Sequence, residues 1–185
     1  IMIATYTDGL YIYNHKKKTA THISKFDRRN AISDNYIFDA FKDINGSVWI
    51  ATYAGLNRFE NNLANFSTVS LFQNGYILSI NYFLEMNDEE FLVGTESGIK
   101  IFNINDQSIK DFKTYFNSKE DYFESLYVYS LYLDEGGYLW VGTRNDGLFI
   151  YDIKTDKVIN VSEEFEIPNL THAIVRGIEH DNYGN

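Results

Sequence analysis

A threonine recurs at positions 5, 52, 95 and 143, each time closing a short apolar run and each time followed by a glycine and then an aromatic residue. The four segments superimpose. Ile3-Ala4-Thr5, Gly9-Leu10 and Tyr13 align with Trp49-Ile50-Ala51-Thr52, Gly55-Leu56 and Phe59. Leu92-Val93-Gly94-Thr95, Gly98-Ile99 and Phe102 form the third copy, and Trp140-Val141-Gly142-Thr143, Gly147-Leu148 and Tyr151 the fourth. The threonines are spaced by 47, 43 and 48 residues. Self-similarity at such a period outranks any local reading, because each copy is a unit that buries its apolar face only by stacking on a neighbour.

A second pattern precedes the threonine segments. Asp43-x-x-Gly46-x-x-Trp49 recurs as Asp134-x-x-Gly137-x-x-Trp140 and begins again at Asp181-x-x-Gly184. In the third copy Met86 and Glu89 stand at the Asp and Gly positions. Upstream lie mostly apolar runs, Ile37 to Phe41, Ile80 to Leu84, Val128 to Leu133 and Ile174 to Ile178, rich in β-branched and aromatic residues and too short for helices. Asn45-Gly46 and Gly136-Gly137 are short-hairpin signals, and the Thr-to-Gly stretches mark a second turn. Each unit therefore reads as four antiparallel strands, for example 36–43 (a), 47–52 (b), 55–60 (c) and 65–70 (d). Strands b are apolar on both faces, as in Val48-Trp49-Ile50-Ala51, which fits a sheet covered on both sides. Four short strands repeated about every 45 residues predict an all-β fold, a β-propeller fragment built of four-stranded antiparallel blades. Trp49, Trp140, Thr52, Thr95, Thr143, Gly55, Gly98 and Gly147 are its structural repeat positions, and the small residue before each Thr belongs where blades crowd together. The blade boundaries fall at 1–30 (partial), 31–73, 74–117, 118–168 and 169–185 (a beginning).

Phase puts strand b of one blade at the front and strand a of another at the back. A strand over 173–181 would either close a four-bladed ring with the first three strands or belong to a ring of six to eight blades. The second is the expectation, with the remaining blades or a second chain completing the ring and a homodimer as one outcome of exposed edges.

Composition narrows function. The net charge of −10 repels phosphate backbones and no Lys/Arg stripe interleaves with aromatics, so nucleic acid is not expected as a partner. Lys16-Lys17-Lys18 reads as a solvated edge feature. There is no cysteine, which excludes disulfides, thiolate–zinc sites and a thiol nucleophile. No apolar run approaches the roughly 18 residues of a membrane span. The four histidines, His15, His22, His172 and His180, fall at unrelated repeat positions, so no metal and no cofactor are expected. The repeated Asp43, Asp134 and Asp181 read as turn residues rather than a carboxylate ring.

The Asp-x-x-Gly-x-x-Trp-x-x-Thr order, with Gly-Leu and an aromatic after it and the lead-in Ile32-Ser33-Asp34-Asn35-Tyr36-Ile37, resembles the two-component regulator propeller repeat. The resemblance covers essentially the whole chain, in three full copies and two partial ones. It implies a non-catalytic sensing propeller on the periplasmic or extracellular side of a bacterial inner-membrane receptor, with a kinase or cyclase output elsewhere in the protein. It also implies a small-molecule or oligosaccharide ligand. A protein-interaction scaffold is the alternative class, and a propeller lyase or glycosidase a third. Loops b-to-c and d-to-a share one face, and loops on a rigid scaffold carry function. Tyr53, Arg144, Asn145, Glu96 and Arg28 are the candidate ligand-binding residues there. Gln73-Asn74 and the aromatic insertion 114–125, with Tyr115, Phe116, Tyr122 and Phe123, lie on the same face.

Overall fold

A computed structural model describes residues 1–60, 66–73 and 75–181. The chain divides into two compact units, Ile1–Phe83 and Leu84–Asn185, the division falling inside one strand.

The first unit opens with a three-stranded antiparallel sheet, β1 (Met2–Ala4), β2 (Leu10–Asn14) and β3 (Thr19–Ile23). A four-stranded antiparallel sheet follows: β4 (Ile37–Lys42), β5 (Val48–Thr52), β6 (Gly55–Phe59) and β7 (Phe66–Val69), in sequence order. A small hairpin, β8 (Phe72–Gln73) with β9 (Tyr76–Ile77), comes next. Leu10, Ile23, Ile32, Ile37, Ile50 and Phe59 form one buried cluster that joins the two larger sheets. The third sheet holds β10 (Ile80–Glu85), β11 (Glu90–Thr95), β12 (Gly98–Asn103) and β13 (Ile109–Asp111). The fourth holds β14 (Val128–Leu133), β15 (Tyr138–Thr143), β16 (Leu148–Asp152) and β17 (Lys157–Asn160), again in sequence order. The all-β expectation of four-stranded antiparallel units holds, and β4 to β7 lie within a residue of the predicted strands a to d. Asn65, Asn74 and Gly184, named in the sequence reading, lie outside the described residues.

The Asp-x-x-Gly-x-x-Trp pattern proves to be more than a turn. Asp43 accepts the Ser47 backbone N–H on Oδ1 (2.8 Å) and the Trp49 indole N–H on Oδ2 (2.9 Å). Asp134 repeats both bonds with Tyr138 N (3.0 Å) and Trp140 Nε1 (2.9 Å). Burial pushes the Asp134 carboxyl up, but the indole and backbone N–H groups outweigh it and hold it below the ordinary range. Trp49 is fully buried while Trp140 is only partly covered, so the core role predicted for both tryptophans is complete at the first alone. The third blade carries Leu92 at the Trp position, with no N–H to satisfy, and Met86 at the Asp position. There Asn87 takes over the turn, its Oδ1 accepting from Glu89 N and Glu90 N (both 3.0 Å).

Crowding explains the small residue before Thr in the second unit. A side chain on Gly94 would run into Val128, and one on Gly142 into Ser130 and Val175. Ala51 is fully buried, whereas Ala4 is exposed.

Two expectations are corrected. No strand forms over 173–181: the segment touches the fourth sheet through Val175 N donating to Thr143 O (2.9 Å), without a ladder partner among the described residues. The insertion 114–125 is not an open loop of aromatic platforms. Helix α1 (Phe112–Phe116), ended by Asn117 in the left-handed region, buries Phe112 and leaves Tyr115 and Phe116 half-buried. Phe112 and Phe123 are buried against buried Tyr151, each edge-on to the Tyr151 ring at 5.1 and 6.0 Å. Of the four aromatics named in the insertion, Phe123 is buried and Tyr115, Phe116 and Tyr122 are half-buried in ring contacts, which covers apolar surface that open platforms would leave wet.

Asp156 staples that insertion to the β16–β17 hairpin. Its carboxylate accepts from Ser118 Oγ (2.6 Å), Lys119 N (2.9 Å) and Tyr151 Oη (3.1 Å). The Ser118 hydroxyl bond, then the Lys119 N–H, hold its carboxyl below the ordinary range, and burial followed by Asp156 pushes the Tyr151 hydroxyl up to about 12. A carboxyl depressed by folding stabilises above its unfolded value of about 3.9, and that contribution is lost as pH falls through the lower folded value. Asp156→Asn is therefore expected to lower the melting temperature at pH 7, with the gap from the parent chain closing below about pH 4. Thermal melts of both chains from pH 7 to pH 3 measure it; a gap constant across that range would contradict the staple.

Candidate functional site

Each b-to-c turn is built by its threonine. The hydroxyl of Thr52 donates to Gly55 O (2.9 Å) and accepts Ala54 N–H (3.1 Å), and Thr5, Thr95 and Thr143 make the same donation to Gly9, Gly98 and Gly147. This clamp fixes the residue that follows the threonine: Tyr6, Tyr53, Glu96 or Arg144. A backbone bond then ties that residue to the entrance of strand a in its own blade, Tyr53 N to Tyr36 O (3.1 Å) and Arg144 N to Tyr127 O (2.8 Å). The carbonyl of the threonine meets the entrance of the next blade within the unit, Ile37 N donating to Thr5 O (3.2 Å).

The entrances carry a second feature. The β4–β5 register shifts between Ile37 and Asp39, and the β14–β15 register between Val128 and Ser130. Phe38 and Tyr129 are thus the bulged residues, and a bulge re-aims a side chain out of the alternating pattern. The residue after each bulge reaches onward. Asp39 Oδ2 accepts Phe83 N–H (3.0 Å), and Ser130 Oγ donates to Val175 O (3.0 Å). Burial pushes the Asp39 carboxyl up despite the backbone N–H bonds it accepts from Phe83 and Ala40.

In the first unit these devices gather aromatic rings at the surface. Tyr6 meets Tyr36 edge-on at 5.3 Å and Phe38 at 6.2 Å, and Tyr36 meets Tyr53 at 6.4 Å. Tyr6, Tyr36 and Tyr53 are 61%, 40% and 60% exposed. The three tyrosines form a contiguous exposed aromatic patch, the kind of surface that marks interaction sites in soluble proteins.

In the second unit the same positions hold a mixed array. Tyr127 and Tyr129 lie edge-to-face at 5.1 Å. The Arg144 guanidinium stands 5.1 Å from the Tyr127 ring centre, and that of Arg176 stands 4.8 Å from Tyr129. Glu96 occupies the equivalent turn in the neighbouring blade of this unit, with Oε2 buried and without a hydrogen-bond partner. A carboxylate oxygen held away from water without a partner is costly to keep.

Of the residues singled out from sequence, Tyr53 joins the ring cluster of the first unit, and Arg144 and Glu96 sit at b-to-c turns of the second. Asn145 is an exposed neighbour of Arg144 whose side chain makes no hydrogen bond or ion pair among the described residues. Arg28 lies elsewhere: it lines a shallow concavity of about 500 Å³ beside β3, with Ile12, Thr21, Arg29 and Asn30, which shares no residue with the aromatic cluster. Sequence reasoning passed over Tyr36, Phe38, Tyr127, Tyr129 and Arg176. The signal was present in part, as an aromatic-x-aromatic pair, Tyr36-Ile37-Phe38 and Tyr127-Val128-Tyr129, at the same place in two copies.

A family profile described as the two component regulator propeller matches residues 31–54 and 122–145, about a quarter of the chain. Two segments of the chain are thus similar to the two-component regulator propeller repeat. Both matches run from the strand-a entrance through the b-to-c turn, and so include Tyr36, Tyr53, Tyr127, Tyr129 and Arg144 but not Tyr6, Glu96 or Arg176. No curated protein matches the sequence. Among solved structures, the chain is similar to the extracellular domain of the putative hybrid two component system BT4673 from B. thetaiotaomicron, with 25% identity and a TM-score of 0.76 over 100% of this chain and 24% of that one. The extracellular domain of the putative hybrid two component system BT3049 from the same organism matches with 20% identity and a TM-score of 0.57, covering 99% and 29%. PorZ of Porphyromonas gingivalis, a bacterial surface component of the type-IX secretion system, matches with 16% identity and a TM-score of 0.63, covering 98% and 28%. The chain thus spans about a quarter of the length of the structures it matches, and the shared fold of these repeats is the β-propeller. Among the described residues no helix is long and apolar enough to cross a membrane.

Proposed function

We propose that these repeats are the ligand-detecting part of a bacterial signalling receptor, working without catalysis on the periplasmic or extracellular side of the membrane. The ligand is taken at the b-to-c turns and strand-a entrances, and its class is oligosaccharide. The observation that carries this reading is the exposed ring cluster Tyr6–Tyr36–Tyr53. Rings held by a backbone clamp lose little entropy on binding and offer flat apolar faces to a sugar, with hydroxyls at their edges. The turns present guanidinium, amide and single carboxylate groups, the chemistry of hydroxyl recognition rather than of paired acid–base work. The relatives described as extracellular domains of hybrid two component systems support the cellular setting.

Thermal-shift screening of the full chain against neutral oligosaccharides, followed by titration of any that bind, tests the proposal. Tyr36→Ala is expected to weaken binding about tenfold, as loss of a central aromatic anchor does, with little change in melting temperature because the ring is exposed. Absence of any shift with any oligosaccharide would overturn the ligand class.

A further inference from the structure

The second unit differs from the first in one respect that bears on which ligand it takes. Where the first unit gathers Tyr6, Tyr36, Phe38 and Tyr53, the second carries two cations, with the Glu96 carboxylate at its other b-to-c turn. Arg144 stands at the turn position of Tyr53, and Arg176 at the entrance position that corresponds to the bulged residues Phe38 and Tyr129. Each guanidinium lies over a tyrosine, and the two tyrosines touch, so that the steps of 5.1, 5.1 and 4.8 Å keep the two guanidiniums within 15 Å of each other. Neither guanidinium has an ion pair or a hydrogen bond among the described residues. Both arginines are exposed. The nearest carboxylate in sequence, Asp146, lies two residues after Arg144, and no ion pair joins them.

In a chain of net charge −10, acidic groups are plentiful, and two arginines left unpaired side by side stand against that background. A guanidinium is a planar fork of donors that matches an oxyanion in two parallel bonds, and its seat on a ring keeps it pre-organised. Two such forks flanking a pair of rings match a saccharide that carries negative charge. We infer that the Arg144–Tyr127–Tyr129–Arg176 array selects an anionic saccharide, one bearing carboxylate or sulfate groups, over its neutral counterpart. The rings cover the sugar face and the forks take the anionic groups. This rests on the sensing role proposed above and narrows its ligand.

The test uses four probes on the full chain: trigalacturonate against its methyl ester, and sulfated galactotriose against galactotriose. The expected result is a preference of about tenfold or more for the anionic member of one pair, the pair identifying carboxylate or sulfate as the group recognised. That preference weakens with added salt, as exposed charge pairing does, and falls about tenfold in Arg144→Gln and again in Arg176→Gln. Arg144→Lys, which keeps the charge and loses the fork, recovers part of it. Equal binding within both pairs overturns the anionic selection and leaves the sensing role standing. A preference that survives in Arg144→Gln/Arg176→Gln places the anion elsewhere and overturns it too. Failure of all four probes to bind overturns the anionic selection, whereas the ligand class falls only if no oligosaccharide in the thermal-shift screen binds.

Discussion

Replacing Asp43 by Met is expected to lower stability by about 3 kcal/mol, and to cost markedly less when Trp49 is Leu. The carboxylate satisfies two buried donors, the Ser47 N–H and the Trp49 indole. Removing it strands both, and a buried unsatisfied donor costs roughly 1–3 kcal/mol. Trp49→Leu by itself leaves a cavity and costs about 3 kcal/mol, but it also removes the indole N–H. In that background Asp43→Met strands one donor instead of two, so the double change falls short of the sum by about 1–2 kcal/mol, within the usual range for contacting residues. The third blade already carries this pairing as Met86 with Leu92. Denaturant unfolding of the parent, both single variants and the double variant measures the coupling. Strict additivity would mean that the Asp–Trp bond is incidental to the repeat.

Gly98→Ala is expected to be as severe, for a different reason. Gly98 has φ +91°, a region in which an alanine costs roughly 1–2 kcal/mol. A methyl there would also overlap the Phe123 carbonyl, whose backbone is held in the aromatic core of the second unit. Forcing that backbone aside costs a further 1–3 kcal/mol or so. The total, about 3 kcal/mol, corresponds to a fall in melting temperature of about 6–12 °C for a chain of this size. Gly75 separates the two contributions. Its φ of +83° is similar, but no atom lies within 4 Å of where its Cβ would stand. Gly75→Ala should therefore cost only the conformational part, roughly 1–2 kcal/mol. Equal effects at the two sites would show that the close approach at Gly98 is not felt.

These two variants probe what the sequence shows best. A period of 43–48 residues, a Thr-to-Gly turn and an Asp-to-Trp spacing place the strands within a residue or so, because each rests on a local requirement: a hydroxyl clamp, a positive φ, a side chain that closes a hairpin. The bulges at Phe38 and Tyr129 were not legible, since an extra residue in a strand leaves the apolar run unbroken and changes only the register against a partner. The inward packing of Phe112, Phe116 and Phe123 was hidden for a related reason: an aromatic-rich insertion reads alike whether its rings face water or Tyr151. The indole bond of Asp43 was visible only as a spacing, six residues from carboxylate to Trp, with no sign that the two side chains meet. The site followed the same rule. Tyr53, Glu96 and Arg144 follow a recognisable threonine and could be placed at the b-to-c turns from sequence. Tyr36, Tyr127 and Arg176 owe their placement to register and to a neighbouring blade and could not.

The claim at the centre is that the turn-and-entrance end of the repeats, and not the opposite hairpin end, takes the ligand. Titration of one bound oligosaccharide into three forms of the full chain tests it: the parent, Tyr36→Ala, and Tyr138→Ala. Tyr138 is 41% exposed, close to the 40% of Tyr36, but begins β15 directly after the Asp134–Gly137 hairpin turn. The account predicts about tenfold weaker binding for Tyr36→Ala and an unchanged affinity for Tyr138→Ala. Loss of affinity at Tyr138 with none at Tyr36 would contradict it.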